Sequence, residues 1–156
     1  MEEIEMNLSE LIEEDTINLN MNVNSKNEAI EALVDLLFSN KLVKSKEGFL
    51  KDVYMREEQG LTGIGNGIAI PHGKSEAVNK TSITIGRLNK AVEWETLDEK
   101  PVETVILFAV KESDKNNLHL KILAKIAGAL ADENTCEKVK KANNAKEIIV
   151  ALNKNS

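Results

Sequence analysis

The sequence predicts an α/β fold: a single domain, residues 1–156, with a mixed central β-sheet flanked by α-helices. Three observations carry that reading. Segments whose apolar residues recur every second position alternate with segments whose apolar residues follow a helical period. One run, Val105-Ile106-Leu107-Phe108-Ala109-Val110, is apolar without a break, as a strand covered on both faces requires. Residues 81–94 hold two strand-like runs close together, a hairpin pattern that argues against a purely parallel sheet.

Taken in order, residues 1–15 are acidic, with helical spacing at Met6, Leu8, Leu11 and Ile12, and form a lead-in with at most a short helical turn. Residues 16–23 alternate apolar and polar, the period of a half-buried strand. Ser25 and Glu28 have capping-box spacing before Ala29, Ile30, Leu33, Val34, Leu36 and Leu37, the apolar face of a helix. A second helix starts near Ser45, carries Phe49, Leu50, Val53, Tyr54 and Met55, and ends at Gly60, a C-terminal glycine signal. In the glycine-rich stretch that follows, Ile68-Ala69-Ile70 suits a short buried strand, which Pro71 stops because it has no N–H to donate. Residues 75–80 are a loop. Residues 81–88 form a strand, and 91–94 pair with it across Asn89-Lys90. Beyond the central strand and the polar loop 113–117, residues 118–130 have strong helical periodicity. Thr135 opens a short helix, and Asn144 with Glu147 caps a last one.

Composition narrows the function classes. The chain has 156 residues, enough for one domain with a sizeable core. Only 3% of residues are aromatic, so that core is aliphatic. The net charge of -6 argues against non-specific binding to nucleic acid. An acidic start without an apolar segment does not resemble a secretory signal, and no apolar run approaches membrane-spanning length. A lone cysteine, Cys136, excludes an internal disulfide and suits a reducing cytosol, so the expected location is cytoplasmic. Two histidines, His72 and His119, are then the scarce chemical resource.

Several familiar site types do not fit. Five residues separate Gly67 from Gly73-Lys74, whereas a P-loop has four. Gly63-Ile64-Gly65-Asn66-Gly67 brings its third glycine one position too early for a dinucleotide fingerprint. No paired-ligand spacing makes a zinc set, and no elbow motif supports a nucleophilic serine. His72 remains as a nucleophile. A loop histidine is more often a solvated side chain than a catalyst, but the backbone N–H groups of Gly73 and Lys74 can serve an anion held on the ring. Neutral imidazole attacks well near pH 7, and phosphoryl transfer asks a protein mainly for positioning and charge stabilisation. His119, in the first turn of its helix, either packs there or donates to a phosphoryl oxygen. Arg56 is either an exposed helix charge or a bidentate clamp on phosphate oxygens.

Arg56-Glu57-Glu58, the run from Thr62 to Lys74 around Pro71-His72-Gly73, and Leu118-His119-Leu120-Lys121-Ile122-Leu123-Ala124-Lys125 resemble the fructose/mannitol-type enzyme IIA family of the bacterial phosphoenolpyruvate-dependent sugar phosphotransferase system (PTS). The resemblance covers nearly the whole chain. It implies a cytoplasmic α/β domain and a phosphoryl relay without metal or nucleotide. Phospho-HPr, phosphorylated on histidine, is the donor; a IIB component is the acceptor and phosphorylates a sugar entering through a membrane IIC component. By motif match, the family's phosphorylated histidine falls on His72, its second active-site histidine on His119 and its active-site arginine on Arg56. Asn66, Gly73 and Lys74 are expected to support the phosphate. Some family members carry an acidic residue where Asn66 stands; Asn66 can only hydrogen-bond.

Two roles from different classes follow from the resemblance: a IIA component in uptake of fructose or a similar sugar, and a nitrogen-related regulatory IIA whose phosphorylation state controls partner binding. A domain that only binds is a third, and the joint presence of His72, His119 and Arg56 weighs against it. The wording of residues 62–74 is closer to the fructose class, which favours transport.

Overall fold

Alternating Ile, Leu and Val side chains make the sheet, and the helical-period segments cover it from both sides. The structure, a computed structural model, describes residues 8–113 and 118–154, without the side chains of Ser9, Leu118, His119 and Lys154. A 3-10 turn, Leu8–Glu10, leads into β1 (Ile12–Met21), α1 (Lys26–Ser39) and α2 (Lys46–Glu57). Three short strands follow, β2 (Gly63–Gly65), β3 (Ile68–Ala69) and β4 (His72–Ser75). The long strands β5 (Ser82–Val92) and β6 (Val102–Lys111) precede α3 (Leu118–Leu130), α4 (Glu133–Lys141) and α5 (Ala145–Lys154). No helix among the described residues is long and apolar enough to cross a membrane.

The strands form one mixed sheet in the order β1-β5-β6-β3-β2, with β4 also on β6. β1 runs parallel to β5, β5 antiparallel to β6, and β3 and β4 both parallel to β6. The apolar run of β6 is the centre, as expected. Its Leu107 and Ala109 enter a core shared with α1 and α2, while Ile106, Phe108 and Val110 enter a second core shared with α3, α4 and α5. That alternation is the two-residue period of a strand covered on both faces.

Local capping is as the sequence expects, with a twist in the boxes. The Ser25 and Ser45 hydroxyls accept from the N–H groups of Glu28 and Gly48 at the starts of α1 and α2. The Glu28 carboxylate reaches the N–H of Asn24, one residue before the cap, and Glu147 reaches Asn143 in the same way before α5.

Other expectations need correction. The first strand begins at Ile12, four residues early, its register with β5 broken between Ile12 and Ile17. The hairpin within residues 81–94 does not exist: β5 is continuous from Ser82 to Val92, and its antiparallel partner is β6. The sheet is mixed, but the turn that makes it so lies between Val92 and Val102. α2 stops at Glu57, and Gly60 has no positive φ, so it is not a left-handed cap. Asp132, not Thr135, caps α4.

Candidate active site

Pro71 interrupts a strand and does not end it. β3 pairs with Thr104 and Val105 of β6; after Ile70 and Pro71 the ladder resumes with His72 opposite Phe108. A proline is tolerated at such a break because its carbonyl is still usable: it accepts from the Phe108 N–H at 3.1 Å. His72 therefore opens β4 and is not a loop residue after a strand.

The register fixes where the site's backbone points. The carbonyls of Pro71 and Ser75 accept from Phe108 and Glu112, so the intervening Gly73 N–H also faces β6. The N–H groups of His72 and Lys74 turn the other way, toward the edge of β4, which has β6 as its one strand neighbour among the described residues. The expectation that Gly73 offers its N–H to a bound anion is corrected accordingly: that donor lies in the ladder.

Gly73 has a different task. A Cβ there would lie 3.0 Å from Val53 Cγ2, 3.1 Å from Phe49 Cε1 and 3.3 Å from the Val53 backbone nitrogen. The bare glycine lets α2 lie directly on β4. Arg56 is one turn beyond Val53 and is thereby brought to the strand edge. On the opposite face His72 stacks on Phe108, with ring centroids 5.1 Å apart and planes 15° from parallel. The imidazole is half-buried and its Nδ1 is buried.

Around His72 the edge of β4 opens into a cleft of about 400 Å³. α2 contributes Asp52, Met55 and Arg56, the turn after it Gln59, β4 contributes His72, Gly73 and Lys74, and α3 contributes Leu120 and Leu123. Arg56, sixteen residues before His72 in sequence, thus lines the same cleft as His72 and Lys74. His119 is in the first turn of α3, beside Leu120; its side chain lies outside the described residues. Arg56 Nη1 donates to the Gly60 carbonyl at 3.3 Å.

Asn66 is elsewhere. It sits at the tip of the β2–β3 turn with φ 56°, between Gly65 and Gly67, whose φ values are also positive. Asparagine tolerates that backbone region better than most residues, which accounts for it there. Its N–H donates to Asp98 Oδ2 at 3.0 Å. Ile68 pairs four residues before His72 along β6, roughly 13 Å away, and Asn66 is further still. It is not among the residues that line the cleft.

Asp52, Met55 and Gln59 were not singled out from the sequence. Part of their signal was present: 52, 55 and 56 share one face of α2, and Gln59 follows three residues after Arg56. Phe108 under His72 had none, because the contact depends on long-range strand register. Ile68 and Ile70 are buried in the core, and among the described residues of the cleft Met55 and Leu120 are exposed apolar side chains. A larger groove of about 800 Å³ between α4 and α5 is lined, among the described residues, by lysine, glutamate, asparagine, valine and alanine side chains and no histidine.

Residues 10–155 match the family model described as "Phosphoenolpyruvate-dependent sugar phosphotransferase system, EIIA 2". The chain belongs to this family. As an EIIA domain it is a phosphotransferase component. It is 34% identical over 150 residues to the "PTS system 2-O-alpha-mannosyl-D-glycerate-specific EIIABC component" of Escherichia coli, with 96% of this chain and 23% of that protein covered. It thus spans about a quarter of the length of that multidomain relative. It is 35% identical over 144 residues to the "Mannitol-specific phosphotransferase enzyme IIA component" of Staphylococcus aureus, covering 90% of this chain and 94% of that one. Among solved structures, the nitrogen regulatory protein IIA-Ntr of Neisseria meningitidis superposes with a TM-score of 0.84 at 29% identity, covering 92% of this chain and 97% of that one.

Proposed function

We propose that this EIIA domain carries a phosphoryl group on His72, taking it from phospho-HPr and passing it to a IIB component for uptake of a fructose-like sugar, in the cytoplasm. The observation that supports this most is the shared cleft: a half-buried histidine held on a flat aromatic ring, with Arg56 and Lys74 in the same space and the first turn of α3 beside it.

The buried Nδ1 leaves Nε2 as the ring nitrogen for an incoming phosphoryl group. His72 reacts as neutral imidazole with its proton on Nδ1. The Nε2 lone pair forms the new P–N bond in line as the donor's P–N bond breaks, and the leaving imidazole keeps that electron pair and takes up a proton. Arg56 and Lys74 balance charge on the equatorial oxygens, the outward N–H groups of β4 face the same space, and His119 donates from α3. The apolar surfaces of Met55 and Leu120 suit a docked partner that excludes water from the phosphohistidine.

Phosphoryl transfer from phosphoenolpyruvate through enzyme I and HPr tests the reading. Wild type acquires an acid-labile phosphohistidine and His72→Ala does not. Arg56→Ala and His119→Ala slow transfer by about tenfold or more. An unlabelled wild type, or labelling of His72→Ala at the wild-type level, refutes the proposal.

The superposition on IIA-Ntr favours a second reading, a regulatory EIIA that reports phosphorylation state to a partner. Neighbouring IIB and IIC genes support transport; a nitrogen-related sigma-factor gene supports regulation.

A further inference from the structure

α2 ends on a carboxylate, Glu57, where the helix dipole disfavours negative charge. That side chain is also only 7% exposed. A carboxylate so placed is costly unless every oxygen is matched, and here both are. Glu57 Oε1 pairs with Lys26 Nζ at 2.7 Å, and Glu57 Oε2 accepts from the Thr62 hydroxyl at 2.7 Å. The same hydroxyl accepts from the indole N–H of buried Trp94 at 3.1 Å. Lys26 lies 5.2 Å over the Trp94 ring and also pairs with Glu95 at 2.7 Å. Burial works against the charge on Lys26, but the bonds and charges of Glu57 and Glu95 outweigh it and hold its pKa above the ordinary value.

This network ties the start of α1, the end of α2, the residue before β2 and the chain after β5 to one point, next in sequence to Arg56. It also closes the loop 58–61. Thr62 is latched to Glu57, and within the loop the Gly60 carbonyl holds Arg56 Nη1. We infer that Glu57, through its latch to Thr62, is a positioning residue for Arg56: it fixes the last turn of α2 and the loop on which the guanidinium rests. The inference rests on the reading of Arg56 as a group that meets the phosphoryl oxygens. A local rule broken at a site border, with its cost met by a complete polar network, is where a functional constraint is expected.

The test measures transfer from phospho-HPr to the full chain for Glu57→Ala, Glu57→Gln, Thr62→Val, Thr62→Ser, Arg56→Ala and the Glu57→Ala/Arg56→Ala double variant. Glu57→Ala and Thr62→Val each lower kcat/KM by about tenfold or more, and Thr62→Ser, which keeps the hydroxyl, restores it to within about twofold. In the Arg56→Ala background, Glu57→Ala adds no further loss, because its effect passes through Arg56. Wild-type rates in Glu57→Ala and Thr62→Val, losses that multiply with Arg56→Ala, or an Arg56→Ala variant as fast as wild type each overturn the inference. Should Glu57→Ala fail to fold, the Thr62 pair and Glu57→Gln carry the same comparison. A second readout needs no transfer: the ¹⁵N–¹H resonance of Arg56 Nε shifts or broadens in Thr62→Val and returns in Thr62→Ser. An unchanged resonance overturns the inference. An unlabelled wild type whose Arg56 resonance behaves as expected sinks only the functional reading.

Discussion

His72 owes its position to its two neighbours more than to itself. Pro71 breaks the ladder without losing register, so the imidazole is delivered onto Phe108. Gly73 lets α2 approach on the other face, which brings Arg56 to the same edge. Gly73→Ala asks Val53 and Phe49 to move by a few tenths of an ångström, with backbone close behind them. It is expected to destabilise the chain by about 1–3 kcal/mol and, by displacing α2, to slow phosphoryl transfer as well. Urea unfolding alongside the transfer assay checks both. Wild-type stability with wild-type transfer would mean that the close contact between β4 and α2 does not set the site. The sequence showed that Gly73 mattered, since glycine density marks unusual backbone. It did not show why: two explanations, an anion-facing N–H and a helix contact, look the same in one dimension.

At the scale of elements, what was legible was what is local. Caps and helical faces could be read because Ser25 and Glu28, or Asn144 and Glu147, are within one turn of each other. The central strand could be read because β6 is apolar throughout. The pairing of β5 was misread because strand partners are chosen by the whole sheet, and a polar Asn89-Lys90 step looks like a turn when it is an irregularity inside one strand. The β2–β3 turn is the same kind of case. Asn66 was expected to support the phosphate, but the turn that carries it is pinned to Asp98, which receives the Asn66 N–H. The N–H groups of Asn66 and Lys100 hold the Asp98 carboxyl below its usual pKa. A group whose folded pKa is lowered stabilises the fold above its unfolded pKa and loses that contribution as pH falls through the folded value. Wild type should therefore melt above Asp98→Asn at pH 6, with the gap shrinking as pH falls below about 4. A gap that is constant with pH would show that the carboxylate charge does not pin this turn.

At the scale of the molecule, the sheet separates two cores, and the edge of β4 is where helices from both layers border one cleft. The resemblance had already grouped Arg56, His72 and His119, which spacing alone does not. The fold explains how Arg56 and His72 meet: α2 reaches the edge from one layer, and β4 presents the ring toward the other. α3 closes the cleft from that second layer with Leu120 and Leu123. Asn66 falls outside because the turn bearing it serves the far end of β3.

The proposed phosphoryl carrier is His72 Nε2. The most direct measurement is NMR of the chain labelled with ¹⁵N-histidine and phosphorylated by phospho-HPr. A ³¹P resonance coupled to Nε2 of His72, absent in His72→Ala, is the expected result. Coupling to Nδ1, coupling to a nitrogen of His119, or a phosphoryl signal that survives in His72→Ala would contradict the account.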